Sequence, residues 1–205
     1  PAHGLARTSS RQVTAAEAVD GGGVAIVLAT QIEPFSLIYR VKFSTQLTLE
    51  LEVQLNQPED QATERIPQTF EEALHTYLAI SDIRQVAISG LESSAFIDKV
   101  AGGQKQDASQ QPLRFAAECD RVYLNTTATC LLQDSGLNRT LQVEKNNSWN
   151  TVVWNPWIDK SARMPDFGDE EWPGMVCIET ANVADQAISL PPGQKHCMST
   201  TISIV

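Results

Sequence analysis

Long apolar runs are missing from this sequence. None approaches the roughly 18 residues that a bilayer-spanning helix needs. Basic residues are scarce as well: 15 Lys and Arg stand against 25 Asp and Glu, for a formal charge of -10 and a pI near 4.7. A surface of that sign repels nucleic acid and anionic membrane, so neither is an expected partner. An anionic ligand would need a few local arginines to hold it against the overall field. Cysteine occurs four times, at Cys119, Cys130, Cys177 and Cys197, without a C-x-x-C pair and without zinc-type spacing to the three histidines. Reduced thiols in a cytoplasmic protein are the economical reading, and no metal or other cofactor is expected. The opening stretch PAHGLARTSS lacks the basic start and apolar segment of a signal peptide. The Asn-x-Ser/Thr matches at Asn125, Asn138 and Asn146 then read as chance.

What the sequence does contain is period-2 alternation. In QLTLELEVQ (46–54), Leu47, Leu49, Leu51 and Val53 fall on one face and Thr48, Glu50 and Glu52 on the other, the pattern of a half-buried strand. FSLIYRVKF (35–43) precedes it, and the short Ser44-Thr45 junction suits a hairpin. Further strand-like runs cover 22–29, 83–89, 120–125, 127–133, 140–145, 150–155, 174–180, 186–190 and 197–205. Turn residues separate them at Gly21–Gly23, Asn56–Pro58, Asp134–Gly136, Asn146–Ser148 and Pro191–Gly193. Segments 98–112 and 159–174 read as irregular, the second as a solvated acidic loop carrying Asp166, Asp169, Glu170 and Glu171. Many short strands with almost no helical stretch predict an all-β fold, a large antiparallel β-sandwich. With 205 residues and no linker or repeat, residues 1–205 are expected to form one domain.

Titratable groups inside strands are few. His75 lies in EEALHTYLAI, a segment too short and mixed for a convincing helix. It is either a satisfied core histidine or a working imidazole. Glu179 ends GMVCIET, where Val176 and Ile178 face one way and Met175, Cys177 and Glu179 the other. Its carboxylate either points to solvent, the commoner case, or is held in a cleft. Together the two side chains could form a general acid/base pair. His3 and Arg7 in HGLAR suit a frayed terminus, and Asp120-Arg121 a surface ion pair. Trp154 and Trp157 in VVWNPW either pack in the core, which is more common, or offer a ring to a sugar face.

HGLAR, ALHTYL, DRVYLNT, the long stretch VVWNPWIDKSARMPDFGDEEWPGMVCIETANV and LPPGQKH occur in an order and spacing that resemble the hexose-6-phosphate mutarotases. These are also called glucose-6-phosphate 1-epimerases, of the galactose-mutarotase-like superfamily. The resemblance runs from residue 1 to residue 205 and implies the large antiparallel supersandwich of that superfamily. It implies His75 as general acid and Glu179 as general base in ring opening of a hexose 6-phosphate. It also implies His3 beside the sugar, Arg7 on the phosphate and Asp120 accepting from sugar hydroxyls; Trp154, as a ring for a sugar face, joins them as a candidate substrate contact. No metal or organic cofactor is implied, and a monomer or weak dimer is expected. The chain starts within a family motif, so N-terminal strands of the family domain and a second phosphate-binding arginine are expected to be missing from it.

Two other functions suit parts of this pattern. An aldose 1-epimerase for unphosphorylated sugars would share His75 and Glu179 but have no use for Arg7. A non-catalytic sugar-phosphate-binding protein would keep Arg7, Asp120 and Trp154 and tolerate loss of Glu179.

Overall fold

The computed structural model describes residues 3–56 and 66–205. It is an antiparallel β-sandwich. One sheet contains eight strands in the order β1 (Gln12–Val19), β2 (Gly23–Ile32), β3 (Phe35–Phe43), β4 (Leu47–Leu55), β17 (Lys195–Ile204), β13 (Arg139–Asn146), β12 (Cys130–Asp134) and β8 (Val86–Ser89). The other runs β10 (Gln104–Gln106), β9 (Phe96–Asp98), β11 (Cys119–Tyr123), β14 (Asn150–Asn155), β15 (Met175–Asn182) and β6 (Glu72–Leu74), with β7 (Tyr77–Ala79) also on β15. A small third sheet pairs β5 (Gln68–Phe70) with β16 (Ile188–Leu190).

The alternating faces of the strands explain the layering. Ile88, Leu132, Leu141, Val143 and Ile202 from the eight-stranded sheet meet Phe96, Tyr123, Val153, Val176 and Ile178 from its partner in one core cluster. A second cluster joins Leu49 and Met198 to Leu74, so it too bridges the layers. Each such side chain contributes about 1.5–3 kcal/mol when fully removed from water.

Several sequence expectations need revision. Gln12–Val19, with three Ala among its eight residues, forms the edge strand β1 paired with β2 across an irregularity between Val13 and Ala15, where no strand was expected. The pairing with β2 overrides a composition poor in strand formers. Residues 98–112 are not wholly irregular: β10 folds back on β9 through Gly102 and Gly103, both at positive φ. Residues 159–174 include most of a short helix, α1 (Trp157–Ser161), and a 3₁₀ turn at Trp172–Gly174. The expected hairpin at Ser44-Thr45 is present, with Phe43 opposite Leu47. The turn expected at Asn56–Pro58 extends outside the described residues.

A cluster of polar side chains ties the two large sheets together. Asn182 on β15 donates to Glu72 Oε1 on β6 at 2.8 Å and to the Asn147 carbonyl at 2.8 Å. The same Glu72 oxygen lies 2.8 Å from His196 Nε2 on β17. Burial raises the Glu72 carboxyl above its ordinary value, against the opposing pull of Asn182 and His196.

Candidate active site

Strand register assembles the site. Across the seven-stranded sheet, Asp120 pairs with Trp154, Trp154 with Cys177, and Cys177 with Tyr77, forming one row. The next row on that face is Val122, Val152 and Glu179. Because side chains alternate, Cys177 and Glu179 face away from the core that Val176 and Ile178 fill. The register between β15 and its neighbours runs unbroken from Leu74 opposite Thr180 to Tyr77 opposite Cys177. His75, in the short break between β6 and β7, therefore stands across from Glu179.

The side chains meet there. His75 Nε2 is 3.3 Å from Glu179 Oε1, and His75 Nδ1 is 3.6 Å from Cys177 Sγ. Tyr77 stacks on the imidazole with 5.0 Å between ring centres. His3 meets it edge-on at 5.5 Å and Trp154 at 6.0 Å, with Phe167 beyond Trp154 at 6.2 Å. Glu179 is only 6% exposed, whereas about a third (31%) of the His75 side chain is accessible. One partner is thus held in the protein and the other is accessible to solvent. The solvent-facing alternative for Glu179 is ruled out. Trp154 is half-buried at the rim beside His75 and Tyr77, which corrects the core reading. Trp157 packs on Trp172 at 4.6 Å.

Burial governs the charges. It raises the Glu179 carboxyl to about 8, helped by nearby Asp120 and opposed by Lys99. It lowers the His75 imidazole below its ordinary 6.5, and the charges of His3 and Arg7 act the same way. The carboxylate is present, but desolvation dominates. Asp120 is half-buried with its carboxyl raised by burial, and Lys99 Nζ stands 3.9 Å from it. Arg7 is paired with Asp166 at 3.6 Å, both more than half exposed. The site thus brings His75, Glu179, His3 and Trp154 into direct proximity, while Asp120 joins through the Trp154 row and Arg7 through Asp166. The acidic loop is solvated as expected: Asp166, Asp169, Glu170 and Glu171 are all exposed, Asp166 beside Arg7.

Two contacts escaped the sequence reading. Lys99 on Asp120 gave no signal in the sequence. Cys177 on His75 did give one: Cys177 and Glu179 are two apart in a strand, hence on one face. The zinc-type spacings sought along the chain could not reveal a cluster completed across strands.

The fold recurs in solved structures. A "putative mutarotase" from Salmonella typhimurium superposes with a TM-score of 0.87 at 29% identity, covering 100% of this chain and 68% of that one. A galactose 1-epimerase from Lactobacillus acidophilus has a TM-score of 0.68 at 12% identity, over 96% of this chain and 67% of that one, a likeness of fold alone. Residues 1–203 match the family model for aldose 1-epimerase, and the chain belongs to that family. Among curated relatives, a "putative glucose-6-phosphate 1-epimerase" from Cenchrus ciliaris is 35% identical over 133 residues, 65% of this chain and 40% of its own length. A protein of the same name from Salmonella typhimurium is 37% identical over 124 residues, 60% of this chain and 42% of its length. The matches span about two-fifths of these relatives.

Proposed function

We propose that the protein interconverts the α and β anomers of a hexose 6-phosphate by acid/base ring opening. The observation that carries this reading is the His75–Glu179 pair, 3.3 Å apart, one member buried and one accessible to solvent. Anomer exchange removes a proton from the C1 hydroxyl and adds one to the ring oxygen. The ring opens to the aldehyde, the C1–C2 bond rotates, and closure on the other face returns both protons. Glu179 accepts from O1 and His75 donates to the ring oxygen, with roles reversed on closure. Only a pair holding one proton between its members can do both. Trp154 and Tyr77 supply aromatic faces beside the ring, and Asp120 accepts from hydroxyls.

The phosphorylated substrate rests on the names of the relatives and on Arg7, an exposed guanidinium that a phosphate can take from Asp166. A phosphate ester does not cross a bilayer freely, so on this reading the protein shares a compartment with the reactions that supply its substrate. The test is two-dimensional exchange NMR at the anomeric protons of glucose 6-phosphate. The protein should accelerate exchange, and His75→Ala and Glu179→Gln should each cut the catalysed rate by about 10²–10⁴-fold. Free glucose alongside separates this substrate from unphosphorylated aldoses. Wild-type exchange at the buffer rate would sink the proposal.

A further inference from the structure

Acid/base ring opening makes no use of Cys177, yet its Sγ faces one nitrogen of His75 while Glu179 faces the other. One donor atom from each of the three residues lies within 4.8 Å of the other two. An imidazole nitrogen, a sulfur and a carboxylate oxygen are the side-chain donors that zinc takes. Around tetrahedral zinc such atoms stand about 3.3–3.7 Å apart, given bonds of about 2.0–2.3 Å. The trio needs a closure of about 1 Å to reach that spacing. His75 can supply it, because the residue sits in a strand break and its side chain is partly accessible. Cys177 and Glu179 are held by β15 between β14 and the β6–β7 edge, so two ligands are preset. Hard cations such as Mg²⁺ or Ca²⁺ prefer all-oxygen sets and do not match a sulfur-nitrogen-oxygen trio. Cys119 provides the contrast: its Sγ turns to the Val153 carbonyl.

We propose that His75, Cys177 and Glu179 bind a thiophilic divalent cation of the zinc class, and that the bound ion silences the acid/base pair. The thiol proton leaves to solvent and the sulfur holds the ion as thiolate. The ion occupies a His75 nitrogen and a Glu179 oxygen, so it competes with proton transfer to and from the sugar. That second clause rests on the ring-opening reading; metal binding does not.

The experiment titrates the metal-free protein with Co²⁺ and Zn²⁺. One equivalent of Co²⁺ should produce a thiolate-to-cobalt charge-transfer band that disappears in Cys177→Ser and persists in Cys197→Ser. Zinc affinity, read by competition with a chromophoric chelator, should weaken at least about tenfold in His75→Gln and in Glu179→Gln, each with native circular dichroism. No band in wild type, or a band that survives Cys177→Ser, overturns the site. If Cys177→Ser does not fold, unchanged zinc affinity in both other variants overturns it. Saturating Zn²⁺ should return anomer exchange to the buffer rate and a chelator should restore it. Undiminished exchange with zinc bound overturns the silencing. A cobalt band without any metal-free exchange supports the metal site and removes the ring-opening function instead.

Discussion

His75 and Glu179, 3.3 Å apart on adjoining segments, have their ordinary order of proton affinity inverted. Burial takes the carboxyl from 4.5 up to about 8 and the imidazole below 6.5. Near neutrality the pair therefore holds one proton, resting on Glu179, and that proton must pass to His75 before Glu179 can accept from O1.

Catalysis should accordingly follow a bell in pH. The acid limb, where the pair gains its second proton, lies below 6.5, and the alkaline limb, where it loses its last, lies at about 8. The profile of kcat/KM checks this. Activity still rising above about 8 would contradict it.

The same carboxyl links stability to pH. Its folded value exceeds the unfolded 4.5, so its contribution is complete below 4.5 and is lost as pH rises through about 8. Glu179→Gln should flatten the dependence of Tm on pH within that window. Parallel curves for the variant and the wild type would show that Glu179 does not drive the slope.

Arg7 should matter for affinity and not for folding. Its pair with Asp166 is exposed on both sides, and such pairs contribute little. Arg7→Ala should leave Tm nearly unchanged and raise KM for glucose 6-phosphate by about 10–100-fold, as expected for a lost charged hydrogen bond. Kinetics with free glucose should not change. An equal rise for both sugars would remove Arg7 from the phosphate.

Asn155 holds the strand-to-helix corner next to Trp154. Fully buried, it donates to the Trp172 and Met175 carbonyls at 2.8 and 2.9 Å and accepts from the Trp157 N–H at 2.9 Å. Asn155→Ala should cost about 2–4 kcal/mol in urea denaturation. Asn155→Asp should cost more, because a carboxylate cannot donate to two carbonyls. If Asp proves the milder change, the donor bonds are not what matters.

The sandwich was legible wherever a strand buries one face. Leu47 to Val53 alternates and forms β4; GMVCIET, apolar at four successive positions, forms β15, which is buried along its whole length. Segments with no such contrast stayed unread: β6 and β7 are three residues each, and Gln12–Val19 is almost wholly exposed. The family resemblance singled out His75 and Glu179, but residue type alone left both open. The meeting of His75 with Glu179, and of Tyr77 and Trp154 with His75, is made across segments, and a linear pattern does not encode it. For the same reason the shared face of Cys177 and Glu179 could be read, but not the approach of His75 to Cys177 or of Lys99 to Asp120.

In β15, chemistry and folding share one short ribbon. Val176 and Ile178 join the layers, while Cys177 and Glu179 turn toward His75. Gain or loss of one residue there would exchange the two sets, turning a carboxylate into the interior and aliphatic groups toward the imidazole. The strand therefore tolerates substitution but not a change in length. Along β15, drift in this lineage has to proceed by swapping side chains in place.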